Sequence, residues 1–292
     1  MRRADFLFAL ALAATASAAE PAERTLRDLA YGPHPERNLL DLYLPAPGSP
    51  APIIVWLHSG GWYSGGRGNG GPARAWVRRG YAVAAVAYRF SSDAVFPAQI
   101  EDCQRAIRWL RAHAKQHGLD PARIGVWGYS AGGHLAALLA TAPEAFPAPP
   151  DDPHRAVSPA VAAACAQAAP TDLAAWDRQA LPEANVIANA PDSMVARLLG
   201  ATPAAAPAAA ARASAVTHLS RATAPVFLVH GDRDRAVPPA QSVAFHAELR
   251  AAGVESVLHL VPGGGHADET FTRGLPLEAI AAFFDRHLRP AK

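Results

Sequence analysis

The chain has 292 residues, half of them hydrophobic and 18% charged, which suits one large globular domain with a sizeable core and excludes a fibrous or disordered chain. Its 27 basic and 25 acidic residues leave a formal charge of +2 with no block of like charge, so neither a nucleic-acid partner nor an acidic one is indicated. Two cysteines are too few for a disulfide scaffold.

In chain order, the first segment is "MRRADFLFALALAATASAAEP". Arg2 and Arg3, the apolar run Phe6 to Ala14 and the small residues Ala16, Ser17 and Ala18 read as a secretory signal with its cleavage site. Residues 1–18 are therefore expected to be removed, leaving 19–292 as a single domain in the periplasm or outside the cell. The run is too short to span a bilayer, and no later stretch is longer, so no membrane span is expected in the mature chain.

Strand signals follow at 38–45 (NLLDLYLP), 51–58 (APIIVWLH) and 80–89 (GYAVAAVAYR). A helix is predicted over 96–118, closed by Gly118, with Ile100, Cys103, Ile107, Leu110 and Ala114 on its apolar stripe. A strand at 123–130 (RIGVWGYS) runs directly into a helix at 131–140 (AGGHLAALLA). Residues 141–223 interrupt the rhythm with Pro-rich and Ala-rich pieces, either a linker or an active-site cap. Within them Cys165 sits in the apolar run "AVAAACAQA", so both cysteines read as small core residues. Strands at 225–232 (PVFLVHGD) and 256–265 (SVLHLVPGGG) flank a helix at 239–253. Apolar strands alternating with helices specify an α/β protein, its mostly parallel sheet covered on both faces.

Within this frame Gly128, Ser130 and Gly132 form a G-x-S-x-G turn between strand and helix. Small flanking residues let such a turn bend so sharply that its serine hydroxyl is held above the sheet, at the positive end of the following helix. A serine needs a base and an orienting acid. Of twelve histidines, His266 stands out because it follows a strand in the flexible loop "PGGGH", whereas His259, His287, His113 and His117 lie in a strand or helices and read as packed or solvated. "HGDRDRAVP" offers Asp232 and Asp234 after the preceding strand; Asp234 is the favoured acid and Asp232 a loop-stabilising residue. The order Ser, Asp, His is that of α/β hydrolases, and no ligand cluster with metal spacing accompanies the carboxylates. Finally, "LHSGGWYSGG" after the strand ending at 57 places Gly60 and Gly61 to donate N–H groups, together with that of Ala131, to an oxyanion. His58 reads as a support for that loop, and Trp62 as either lining the site or packing beneath it.

These motifs resemble those of α/β-hydrolase-fold esterases of the hormone-sensitive-lipase-like and bacterial feruloyl-esterase-like (BD-FAE-like) group. "LHSGGW" is similar to the group's H-G-G-G-W loop and "GYSAGGHLAAL" to its nucleophile elbow; "HGDRDRAVP" and "PGGGH" resemble its acid and histidine loops. The resemblance implies Ser130 as nucleophile, His266 as general base, Asp234 as orienting acid, and Gly60, Gly61 and Ala131 as oxyanion donors. Arg89 and Asp102 match the same pattern and are assigned to structure. Ser59 stands where the group has glycine, a position that would strain it if the backbone there needs a positive φ. The altered H-x-G-x-W loop also resembles that of arylformamidases.

The reading is thus a cofactor-free serine esterase acting on a small ester substrate, an aryl ester or an acylated sugar, with Trp62 and Tyr129 beside the substrate. An arylformamidase or a small peptidase uses the same chemistry. A hydrolase-fold protein that only binds a ligand is the alternative from a different class.

Overall fold

The computed structural model describes residues 23–266, 271 and 274–289. The expected leader, residues 1–18, lies outside them. Eight strands form one sheet in the order β1-β2-β4-β3-β5-β6-β7-β8. They are β1 (Arg24–Ala30), β2 (Leu39–Leu44), β3 (Ala51–Leu57), β4 (Ala82–Val86), β5 (Leu119–Tyr129), β6 (Ala163–Gln167), β7 (Val226–Gly231) and β8 (Ser256–Val261). The pairs β1–β2 and β2–β4 are antiparallel, and every pair from β4 through β3 to β8 is parallel.

Strand β3 shows why the sheet must be covered twice. Side chains alternate along a strand, and here Ile53, Val55 and Leu57 enter one core cluster while Ile54 and Trp56 enter the other. A strand apolar on both faces is stable only between two layers. The first layer contains α1 (Ala98–Ala112), α3 (Ala131–Thr141) and α7 (Pro239–Ala251). Opposite them, a 3-10 segment at Gly68–Arg79 presents Trp76 and Val77, and α8 (Gly274–Leu288) presents Ile280, Phe283 and Phe284. Cys103 and Cys165 are buried free thiols in different clusters, on opposite sides of the sheet.

The predicted helix over 96–118 divides at His113 into α1 and α2 (Ala114–His117), and Gly118 closes it in a left-handed conformation. The stretch 141–223 is less irregular than its composition suggests. It contains α4 (Trp176–Gln179), α5 (Met194–Leu199), α6 (Pro207–Ala213) and the central strand β6, which pairs with both β5 and β7. The sequence "AACAQ" lacks β-branched and aromatic residues, so its strand conformation comes from its slot in the sheet and not from its own propensity.

Among the described residues no helix is long and apolar enough to cross a membrane.

Candidate active site

All parallel strands deliver their following loops to one sheet edge, the usual place for an α/β site. Ser130 connects β5 to α3 with φ 54° and ψ −117°, far from ordinary serine geometry. Such a conformation costs of order 1–3 kcal/mol and persists only when the surroundings enforce it. The two glycines explain the enforcement. A Cβ on Gly128 would stand 2.0 Å from the carbonyl oxygen of Gly132, and one on Gly132 would stand 2.1 Å from that of Leu57. The Ser130 N–H donates to the Gln167 carbonyl at 2.8 Å. The Gln167 side chain accepts from the Trp127 indole and donates to the Phe271 carbonyl, fixing the elbow from below. Because the contacted atoms are backbone, Gly132→Ala should destabilise the fold by at least about 1–3 kcal/mol. Gly66→Ala, where an added Cβ meets nothing within 4 Å, should leave the thermal midpoint near parental. Equal midpoints for both variants would contradict this account of the elbow.

The structure brings Ser130, His266 and Asp234 together. His266 Nε2 lies 2.9 Å from Ser130 Oγ, and His266 Nδ1 lies 2.7 Å from Asp234 Oδ2. An ionised carboxylate only accepts, so Nδ1 carries the proton and Nε2 presents a lone pair to the serine hydroxyl. Tyr129 donates its hydroxyl to the His266 carbonyl, holding the histidine loop. Burial raises the pKa of Tyr129, aided by the negative charge of Asp234, so the phenol stays a donor. Asp232, 31 residues from its partner, accepts the Gly263 N–H at 2.7 Å and thereby joins the acid loop to the histidine loop.

Asp234 is 1% exposed. Burial works to raise its pKa, but hydrogen bonds from His230 and His266 and the electrostatic attraction of the two rings outweigh it, leaving a value of about 2. Because this lies below the unfolded carboxylate value near ~3.9, the group stabilises the fold above pH ~4, and that contribution disappears as pH falls through about 2. Acid unfolding of Asp234→Asn should lack this component, so its midpoint should depend less steeply on pH between those limits than that of the parent. Parallel curves for the two proteins would count against the carboxylate being charged.

The loop after β3 takes positive φ at three consecutive residues, Gly60 (φ 117°), Gly61 (φ 58°) and Trp62 (φ 62°), which the two glycines adopt freely and the tryptophan does not. Ser59 does not need a positive φ, so the feared strain falls on Trp62 instead. Trp62 is 1% exposed and packs beneath the cavity while also contributing to its wall. Its indole N–H donates to His134 Nδ1 at 3.2 Å, and His134 Nε2 donates to the Ala213 carbonyl at 2.6 Å. Burial lowers the pKa of His134 to about 4, keeping the neutral ring that Trp62 requires. His58 is also buried, stacked on Tyr88 at 4.3 Å, with its pKa lowered by burial to about 4; it supports the loop, and its Nδ1 contacts the Ser59 carbonyl. Arg89 and Asp102 form a structural ion pair through Nε and the backbone N–H of Arg89, 2.8–3.0 Å from the carboxylate.

These elements surround a cavity of about 300 Å³ lined by Ser130, Ala131, Gly60, Gly61, Tyr129 and His266 on the sheet side. Trp176, Val186 and Met194, all from 141–223, complete its lining and were not singled out from the sequence. His230 was also missed. The available signal was a histidine at the end of the wholly buried strand VFLVHG, where it must have a polar partner. Among the described residues no group of three or more His, Cys, Asp or Glu side chains is arranged to hold a metal ion.

The chain is 32% identical to esterase LipQ of Mycobacterium tuberculosis over 88% of its own length and 61% of that protein. It spans 53–64% of the length of three curated relatives it matches. A carbohydrate esterase from gut microbiota superposes with a TM-score of 0.82 at 24% identity, covering 94% of this chain and 99% of that one, which establishes a shared fold. An acetyl ester-xyloside bifunctional hydrolase from Caldicellulosiruptor lactoaceticus matches at 28% identity and a TM-score of 0.66, over 86% and 85% of the two chains. The BD-FAE family model matches residues 40–249, well over half of the chain and reaching from β2 through the elbow and acid loop into α7. With that match on an eight-stranded α/β-hydrolase sheet, the chain belongs to the BD-FAE family.

Proposed function

We propose that the protein is a serine carboxylesterase hydrolysing short acyl esters of aryl or carbohydrate alcohols. The observation that carries the reading is the continuous hydrogen-bonded relay Ser130–His266–Asp234 opening into a cavity. In this reading Ser130 Oγ attacks the ester carbonyl as its proton passes to His266 Nε2. The oxyanion receives N–H groups of Gly60, Gly61 and Ala131, each worth on the order of 3 kcal/mol in the transition state. The alkoxide departs with the proton from His266, leaving an acyl-serine. Water then attacks by the same route, releasing the acid and restoring Ser130.

Cavity size favours small acyl groups. A second cavity of about 290 Å³ shares Tyr63, Val186 and Met194 with the first and adds Asn185, Ile187, Asp192 and Arg197, and we assign the leaving group to it. A 45%-exposed Tyr63 ring beside polar side chains suits a sugar or aryl alcohol better than a lipid tail. The names of two relatives, an esterase and an acetyl ester-xyloside hydrolase, support the same reading.

Esters are favoured over amides because an alkoxide or phenoxide leaves more readily than an amine, which must be protonated as it departs. We therefore expect kcat/KM for a short aryl or sugar acetate to exceed that for N-formyl aryl amines and for long-chain triglycerides. N-formylkynurenine as the best substrate would replace this reading with an arylformamidase, and emulsified long-chain lipid with a lipase. Export is part of the proposal: the N-terminus of the mature protein recovered from the periplasm or medium should follow Ala18, and an intact Met1 there would contradict it.

A further inference from the structure

Asp234 is held by a second histidine that the acyl-transfer scheme does not use. His230, at the end of β7, is fully buried. Its Nε2 lies 3.1 Å from Asp234 Oδ2, the same oxygen that His266 approaches at 2.7 Å, and 3.1 Å from the Val237 carbonyl. Both of these partners only accept, so Nε2 carries a proton. Its Nδ1 lies 2.7 Å from Ser242 Oγ on α7; in the neutral ring that nitrogen accepts from the serine hydroxyl, which can donate or accept and so follows the tautomer set by the two acceptors at Nε2. The other carboxylate oxygen, Oδ1, accepts the N–H groups of Ala236 and Val237 at 2.9 Å each. Four donors therefore fix the carboxylate, and His230 supplies the one that competes directly with His266 for Oδ2.

We propose that His230 is a positioning residue for the triad, fixing the orientation and basicity of the Asp234 oxygen that faces His266. The inference rests on the triad reading above. Removing His230 has two consequences. The carboxylate loses one of the two donors on Oδ2 and can tilt, so Nδ1 of His266 is held less well and turnover falls. More negative charge also remains on the oxygen facing His266, which favours the protonated imidazole. This second effect has the same sign whether His230 is neutral or charged, because a lost donor and a lost positive charge act alike. No other titratable group competes for the role among the described contacts. Asp234 receives only the two histidines and the two backbone donors named, His266 faces Asp234, Ser130 and Tyr129, and Arg233 and Arg235 beside the acid are exposed, Arg235 bonding to the Glu183 carbonyl.

The test uses the full chain with 4-nitrophenyl acetate, active sites being counted by the initial burst. His230→Leu should lower kcat per active site by about 10–100-fold, the range seen when outer-shell partners of metal-bound histidines are removed, with KM changed far less. The acid limb of its kcat/KM–pH profile should move to higher pH. His230→Gln keeps a side-chain N–H for Oδ2 and should recover most of kcat and move the limb back. A kcat per active site and an acid limb matching the parent in His230→Leu would overturn the proposal, leaving His230 as packing alone. Should that variant not fold, His230→Phe keeps a ring in the site but has no N–H for Oδ2, and an unmoved acid limb there overturns the proposal equally. Ser130→Ala separates the two readings: an active Ser130→Ala removes the triad itself, whereas an inactive one beside a parental His230→Leu removes only the role of His230.

Discussion

Ser130→Ala is expected to retain the fold and lose ester hydrolysis by about 10⁶-fold, the scale of nucleophile knockouts in other serine hydrolases. The fold should survive because the strain at this turn comes from backbone contacts around Gly128 and Gly132, not from the hydroxyl. Among the described residues, removal of Oγ deletes only its bond to His266 Nε2. Circular dichroism and a thermal melt check the first half, and steady-state hydrolysis of 4-nitrophenyl acetate checks the second. A folded Ser130→Ala with near-parental kcat would end the acyl-serine reading.

The next largest effect is expected at Asp234→Asn, a loss of about 10⁴-fold in turnover, equivalent to about 5.5 kcal/mol of transition-state stabilisation. Asp234 Oδ2 accepts from both His266 Nδ1 and His230 Nε2 while Oδ1 accepts two backbone N–H groups. An asparagine keeps its oxygen on the backbone donors and so turns its amide toward the histidines. His266 then prefers to accept at Nδ1, which puts its proton on Nε2 and removes the lone pair that Ser130 needs. Asp232→Asn preserves the acceptor for the Gly263 N–H and should change turnover little. Kinetics of the two variants that showed the opposite ranking would move the acid to Asp232.

The elbow, the acid loop and the histidine loop were legible because the demands there are local. The spacing of Gly128 and Gly132 around Ser130 follows from backbone atoms within 2.1 Å of where a Cβ would stand, and that demand is written directly as glycine. Strand β6 was not legible, since Ala163–Gln167 adopts its conformation only between β5 and β7. Strand β1 was missed for a different reason: its edge position leaves it mostly exposed, so Arg24, Arg27 and Asp28 disguise the pattern. Trp176, Val186 and Met194 reach the cavity from a segment whose composition carries no period. Trp62 both packs under the site and contributes to its wall, and it is held there by a contact no spacing rule predicts, its bond across 72 residues to His134. His230 was visible as a residue but not as a partner of Asp234, because the loop that turns the carboxylate back onto the strand is set by the N–H groups of Ala236 and Val237.

The most direct test of the central claim is a rapid-mixing experiment on the parent protein with 4-nitrophenyl acetate, followed by acid quench and peptide mass spectrometry. The account predicts a burst of nitrophenolate approaching one equivalent and an acetyl group on the peptide carrying Ser130, both absent in Ser130→Ala. Full hydrolytic activity with the acetyl group on another residue, or the same burst in Ser130→Ala, would contradict it.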